Sequence, residues 1–412
     1  MKALILRSAL GTTIILGLRL VVQASSLLML ASMLGPEQFG IYAGAAALAL
    51  LLGALSTFGT QFVLLSEVAK DYSRRQSVLA YAVPSTLILG GGLFVLFSLV
   101  VHWWLPVDGY SYLAVIYLGL AEVVLLPLIL FPAMELLASG KVVRSQLLTL
   151  MPLGLRMFAV LALLFSEVGS SLYAVCLVYL IMSVACFFIV FFLFPNAWLG
   201  LKYWRIASFL ELKMSSSYAL TSLAAVGPGE MDKVLALKLL PLDLSGLYSA
   251  ASRIVGAATL PAIALVLSVL PRLIRGEGRE ASMKMSLVNW LLCVALIFSV
   301  MLAGFFVIVS SFVEWAFGEA YGGLSDMLVW LCLAIPGLSL RKVAGNILIA
   351  NGNPLARVCF ELVGVVLLVL FSFFLVSTLG SGAFVFSVFL SESLMALGMV
   401  FYVKSYSFYR DL

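Results

Sequence analysis

Apolar residues occur in this chain as long, unbroken runs, not as ten-residue alternations of apolar and polar side chains. That pattern leaves few folds open. In hydrocarbon every backbone N–H and C=O must find its partner within the protein, so only α-helices and closed β-barrels span a bilayer. Barrel strands are about ten residues long and alternate between lipid and lumen; these runs do not. A helix crossing the hydrocarbon core takes roughly 20 mostly apolar residues. Runs of that kind fall at about 10–34, 38–66, 78–102, 111–139, 145–166, 170–195, 213–240, 244–271, 284–314, 321–350, 355–378 and 381–403. The fold expected is therefore all-α and integral to a membrane, with twelve spans. Composition agrees: 64% of the 412 residues are apolar and 10% charged, against about 25% charged in soluble domains. The first run could be mistaken for a signal peptide, but Arg19 interrupts it and no small-residue cleavage site follows, so it is expected to stay.

The basic residues test the count. Seventeen of the 24 lie on the side of the N-terminus: Lys2, Arg7, Lys70, Arg74, Arg75, Lys141, Arg144, Lys202, Arg205, Lys213, Arg272, Arg275, Arg279, Lys284, Arg357, Lys404 and Arg410. The opposite loops carry none, but hold Glu37, Asp108, Glu167, Asp243, Glu314, Glu319 and Asp326. By the positive-inside rule both termini are expected in the cytoplasm. The net charge of +5 arises from these loops and forms no clustered patch, so no nucleic-acid partner is expected. Cys176, Cys186, Cys293, Cys332 and Cys359 all fall in apolar segments without a CxxC or a histidine partner. They read as small buried hydrophobes, and no metal site or cofactor is expected. His102 beside Trp103 and Trp104 reads as an interfacial aromatic cluster.

Two stretches repeat half a chain apart. Met33-Leu-Gly-Pro-Glu-Gln-Phe-Gly-Ile-Tyr-Ala-Gly-Ala matches Leu239-Leu-Pro-Leu-Asp-Leu-Ser-Gly-Leu-Tyr-Ser-Ala-Ala, with Gly40 and Tyr42 on Gly246 and Tyr248. Leu136-Leu-Ala-Ser-Gly matches Leu348-Ile-Ala-Asn-Gly at nearly the same offset. A duplication of six helices enters the membrane in the same direction twice, giving a parallel repeat. The expected bundles are 1–205 and 206–412. Their connection, Asn196 to Leu212, is the longest in the chain.

Seven basic residues remain inside the spans, Arg19, Arg156, Lys233, Lys238, Arg253, Arg341 and Lys342, with six acids, Glu122, Glu135, Glu230, Asp232, Glu361 and Glu392. A charge at the bilayer centre costs about 2.5–3.5 kcal/mol even on insertion scales, so such groups pair or face water. Arg19 lies near the midplane on a stripe with Thr12, Gln23 and Ser26, read as facing a hydrated lumen; the alternative is an ion pair with a carboxylate such as Glu122. In span seven, Gly227-Pro-Gly-Glu-Met-Asp-Lys233 predicts a broken helix with a hinge at Pro228 and Gly229. Lys233 either meets substrate or pairs with Glu230. Arg156 and Arg253 lie mid-span, whereas Arg341 and Lys342 read as snorkelling to, or lining, a cytoplasmic vestibule. Glu361 and Glu392 read as isolated acids, either proton-coupling sites or counter-ions. Cations at depth favour an anionic cargo, and arginine suits phosphate through its planar fork. A small soluble anion and a phosphate-bearing lipid fit equally on these grounds. The outer loops are short and without basic residues, so an enzyme is not expected.

Leu34-Gly-Pro-Glu-Gln-Phe-Gly-Ile-Tyr-Ala resembles the LGPxxFGxYA signature of polysaccharide-biosynthesis flippases, the Wzx-type O-antigen family. Met231-Asp-Lys-Val with Ser245-Gly-Leu-Tyr-Ser-Ala-Ala-Ser-Arg253 is similar to that family's DK…GxYxxAxR pattern, and Pro271-Arg272 and Ala350-Asn-Gly also match. The resemblance implies the MATE-like fold of two six-helix bundles around a V-shaped cavity. It implies movement of undecaprenyl-pyrophosphate-linked oligosaccharide across the bacterial inner membrane, the lipid tail passing a lateral gate between helices one and eight. Pyrophosphate and sugars would pass Arg19, Gln23, Arg156, Lys233 and Arg253. Partners implied are that lipid-linked substrate and membrane lipids, with a polysaccharide polymerase and a chain-length regulator as candidates. Proton-coupled antiport in the wider superfamily makes Glu122, Glu230, Asp232, Glu361 and Glu392 candidate coupling groups. A lipid II flippase, a drug or cation antiporter and a membrane-bound polymerase are the rival readings.

Overall fold

A computed structural model describes residues 2–107, 110–165, 171–194, 198–259 and 281–409. The C-terminal part of the expected span 244–271, the Pro271-Arg272 motif, Arg275, Arg279, Arg410, Asp108 and Glu167 lie outside the described residues, as do the side chains of Lys2, Arg7, Thr12 and Lys284. All regular structure among the described residues is helical. The longer helices are α1 (Lys2–Ser56), α2 (Thr60–Lys70), α3 (Arg75–Trp103), α4 (Tyr110–Gly119), α5 (Leu126–Ala138), α6 (Val142–Leu164) and α7 (Leu172–Leu193), then α8 (Phe209–Leu239), α9 (Leu242–Ala258), α10 (Ala281–Phe317), α11 (Leu324–Cys332), α12 (Ile335–Ala350), α13 (Pro354–Leu379) and α14 (Ala383–Tyr409).

Eight helical stretches among the described residues, one of them α4 and α5 joined through Leu120–Leu125, are long and apolar enough to cross a membrane, or nine when α11 and α12, bent by 49°, form one span. The difference from twelve has identifiable sources. Helix α1 is continuous except at Gly35 (φ 67°, ψ 170°), immediately before Pro36, and so joins the expected span 10–34 to the first part of 38–66. Helix α8 carries Glu230, Asp232, Lys233 and Lys238, which lower its hydropathy, and only Leu242–Ala258 of the following span is described as helix.

Three expectations need correction. The run 38–66 is not one helix: α1 ends at Ser56 and α2 starts at Thr60. Between them Phe58 and Gly59 take positive φ, while the Ser56 and Thr60 hydroxyls donate to Gly53 O and Thr57 O. Local hydroxyl bonding of this kind competes with the helical ladder. Second, α8 runs unbroken through Pro228. A proline removes only one donor, the one that would serve the Ala224 carbonyl, and the flanking glycines carry no side chain to crowd its ring. Third, Cys293 and Cys359 are exposed, whereas Cys176, Cys186 and Cys332 are buried; the outer faces of α10 and α13 are apolar and accept a cysteine as readily as their cores do.

The chain divides into two compact units, Met1–Val226 and Gly227–Leu412, with the border inside α8. Before the border α8 packs on the first unit, where Tyr218 stacks on Phe62 with ring centroids 6.0 Å apart. After it, Asp232 binds Tyr248 and Ser252 of α9. In the first unit a core cluster around Val63, Leu79, Tyr81 and Phe131 joins α2, α3 and α5. In the second, Val288, Leu292, Ile347, Leu348 and Met399 join α10, α12 and α14.

Helices α5 and α12 end alike. Gly140 and Gly352 take φ of 74° and 78°. Gly140 N–H donates to Leu137 O and Lys141 N–H to Leu136 O; Gly352 N–H donates to Ile349 O and Asn353 N–H to Leu348 O. Each is a Schellman cap, whose left-handed residue is glycine because a Cβ is strained there. These are the positions that match in the second repeated stretch.

Candidate functional site

In the first unit the buried charge is organised around a widened turn. Leu120–Leu125, between α4 and α5, is π-helical, a distortion frequent at functional sites. It carries Glu122, 4% exposed. Arg156 of α6 donates from Nη1 to Glu122 Oε1 at 2.6 Å and from Nε and Nη2 to Ser183 Oγ at 3.2 and 3.0 Å. Tyr179 of α7 donates to the same Glu122 oxygen, and its ring lies 3.9 Å from the guanidinium carbon. Glu122 Oε2 is buried with no hydrogen-bond partner. Arg156 is thus locked, and the carboxylate that holds it is Glu122, which the sequence offered as a partner for Arg19. Tyr179 and Ser183 were not singled out from the sequence, although they stand one turn apart in an otherwise apolar helix.

The second unit holds a second locked arginine. Arg341 of α12 donates from Nε to Glu392 Oε2 at 2.6 Å, and its Nη1 lies 3.8 Å from Glu361 Oε1. Arg357 reaches the same Glu361 oxygen at 2.9 Å. All three of Arg341, Glu361 and Glu392 are under 5% exposed. Arg341 therefore neither snorkels nor lines a vestibule, and Glu361 and Glu392 are not isolated. A buried guanidinium persists only with such partners, and helix periodicity alone does not show which helices meet. Neighbouring Lys342 donates to Thr259 Oγ1 at 2.6 Å.

A third cluster joins α8 and α9. Asp232 Oδ2 accepts from the Tyr248 hydroxyl at 2.7 Å and from Ser252 at 2.8 Å. Its Oδ1 accepts from Lys233 N–H at 2.8 Å and Nζ at 3.2 Å. Glu230 stands 3.7 Å from the same ammonium. Lys233 is 4% exposed and Asp232 6%. Pro228 is buried and Gly229 exposed.

Arg19, Gln23 and Arg253 differ from all of these. Arg19 and Gln23 are exposed on α1 and Arg253 is half-buried on α9. None of the three has an ion pair or hydrogen bond to the described residues. Glu135, counted with the intramembrane acids, sits instead near the end of α5, 2.7 Å from Arg75 Nε and 3.2 Å from the Tyr72 hydroxyl. Arg205 reaches Ser77 O at 3.3 Å, so the turns bearing Lys70, Arg74, Arg75, Lys141 and Arg205 gather at one end of the first unit. Among the described residues no three His, Cys, Asp or Glu side chains are grouped to hold a metal ion.

No family model matches this sequence, and no curated protein matches it. Solved structures do. The chain is similar to the inward-facing conformation of a multidrug resistance MATE family transporter of the MOP superfamily, with TM-score 0.77, 15% identity and 94% of both chains covered. It is similar to an outward-facing conformation of such a transporter at TM-score 0.60 and 15% identity, over 98% of this chain and 95% of the other. A MOP superfamily transporter from Pyrococcus furiosus, described as having a binding pocket of reversed polarity, aligns at TM-score 0.62 and 14% identity, over 98% and 95%. This chain is an all-helical, multi-pass membrane protein with the fold of the MATE transporters of the MOP superfamily.

Proposed function

We propose that this protein is a flippase that moves undecaprenyl-pyrophosphate-linked oligosaccharide from the cytoplasmic to the periplasmic leaflet of the bacterial inner membrane. The observation that carries the reading is the division of its intramembrane cations. Arg156 and Arg341 are consumed by carboxylates, whereas Arg19 on α1 and Arg253 on α9, with Gln23 one turn from Arg19, are left without a protein partner among the described residues. A guanidinium kept in a membrane helix without a counter-ion is costly, and a diphosphate supplies the missing charge through paired N–H donors. The LGPxxFGxYA and GxYxxAxR resemblances point to the same cargo.

Glu122 is the coupling carboxylate in this scheme. Asp232 is saturated by four donors, and Glu361 and Glu392 are held by arginine; Glu122 and Glu230 each keep one buried oxygen without a hydrogen-bond partner, but Glu230 stands beside the Lys233 ammonium, whereas Glu122 sits on the π-helical turn. Lys233 is an orienting group for Asp232. Basic turns gathered at one end of the first unit support cytoplasmic termini. A second reading, a small-molecule exporter, is favoured by the multidrug description of the neighbours. Unpaired arginines disfavour cationic drugs as cargo, and the neighbour described with reversed pocket polarity indicates that this fold tolerates a change of charge sign. In a strain lacking the gene, lipid-linked repeats stranded on the cytoplasmic leaflet support the flippase. Repeats outside but unpolymerised point to a polymerase, and normal export with drug sensitivity points to the small-molecule reading.

A further inference from the structure

Between the end of α7 at Leu193 and the start of α8 at Phe209 the chain has a 3-10 turn at Leu201–Tyr203 and then irregular backbone. It is held in one place nonetheless. Arg205 N–H donates to Ala80 O at 3.0 Å, and its guanidinium donates to Ser77 O and makes two bonds with Glu211 at 2.8 and 2.5 Å. Trp204 Nε1 donates to Leu199 O at 3.0 Å. Ser208 N–H and hydroxyl both donate to Glu211 Oε2, closing the first turn of α8.

This fixed strip has two faces. Trp198, Leu199, Trp204 and Ala207 pack on the core of the first unit. Leu201, Ile206 and Phe209 point away from it, 74%, 89% and 84% exposed, with Leu210 beside them. Large apolar side chains presented on a rigid, non-spanning segment mark an interaction surface. The charges around them have one sign. Lys202 lies over the Tyr203 ring at 4.9 Å and Lys213 is exposed, while Glu211, the lone acid between residues 198 and 214, is neutralised by Arg205. Apolar and aromatic residues rimmed by lysine are what the headgroup region of an anionic leaflet accepts.

We infer that residues 200–214 form an in-plane membrane-surface strip that seats Leu201, Ile206 and Phe209 at the acyl boundary and binds anionic phospholipid headgroups through Lys202 and Lys213. Because the strip leads directly into α8, it fixes the start of the helix that passes from one unit to the other. A benzophenone amino acid placed at position 206 of the full-length protein, in vesicles of equal phosphatidylglycerol and phosphatidylcholine, tests this. Position 192, an exposed apolar site on α7, serves as the lipid-facing control. The adducts at 206 are expected to be lipid, with a phosphatidylglycerol preference at least about threefold that at 192, falling to the control ratio in Lys202→Gln/Lys213→Gln. Equal preference at both positions overturns the headgroup assignment. So does a missing lipid adduct at 206 while 192 still labels, or, in native membranes, a protein adduct in its place.

Discussion

The buried arginine of the first unit and that of the second are secured by the same means with the charges dealt in a different order. Along the chain, the first cluster takes an acid from the π-helical turn (Glu122), a base from α6 (Arg156) and hydroxyls from α7 (Tyr179, Ser183). The second takes a base from α12 (Arg341), then acids from α13 (Glu361) and α14 (Glu392). Around them the framework repeats. Tyr42 meets Tyr179 edge-on at 6.5 Å, and Tyr248 meets Phe384 edge-on at 4.9 Å. A Cβ on Gly53 would lie 2.8 Å from the Glu122 carbonyl oxygen, and one on Gly337 would lie 3.2 Å from the Glu392 backbone. The two halves thus share caps and an edge-on ring pair, while their glycine approaches and polar chemistry differ. The first cluster leaves one carboxylate oxygen open, and the second holds two acids under two arginines.

Breaking the second cluster is expected to have the largest effect. Arg341→Met strands the buried Glu392 and leaves Glu361 to Arg357 alone, and should cost the roughly 3–5 kcal/mol of an orphaned buried charge, read as thermal stability in detergent. Arg156→Met leaves Glu122 with the Tyr179 hydroxyl as its remaining donor and should cost less. Adding Glu122→Gln should recover much of the loss. An equal loss in both units would erase the distinction between them.

Smaller changes sharpen the comparison. Gly53→Ala forces backbone against backbone and should cost about 1–3 kcal/mol; Gly337→Ala meets a looser approach and should cost less, both read from thermal midpoints. The smallest effect is expected outside the spans. Arg205 and Ser208 hold the Glu211 carboxyl down at about 2, so its contribution is present above its unfolded value near ~4.3 and fades only as pH falls through about 2. Glu211→Gln should therefore cost under about 1 kcal/mol for this partly exposed pair, by the same amount at pH 5 and pH 8.

Much of this framework was legible in the sequence because lipid imposes a length and a composition on every span. The Gly35-Pro36 break and the paired caps at Gly140 and Gly352 were legible too, since they rest on local backbone chemistry. The break at Phe58-Gly59 was signalled only by a Ser-Thr-Phe-Gly-Thr run inside an apolar stretch. Pro228 misled in the other direction, because it removes a single donor and its glycine neighbours let α8 continue. No residue type announces the π-helical turn at Glu122. The partners of Arg156 and Arg341 lie on other helices, and periodicity gives the face of a helix without naming its neighbour. Tyr179 and Ser183 were recoverable as polar residues at i and i+4 in α7.

The account rests on a division of labour between locked arginines that hold helices together and open ones that meet the cargo. It is tested most directly by transport of a short-chain polyprenyl-pyrophosphate oligosaccharide in proteoliposomes containing the Arg19→Ala/Arg253→Ala protein. Export is expected to fall at least about tenfold, equivalent to roughly 1.4 kcal/mol, with the thermal midpoint close to that of the unaltered protein. Unchanged export by this folded variant would contradict the assignment of these two arginines to the substrate.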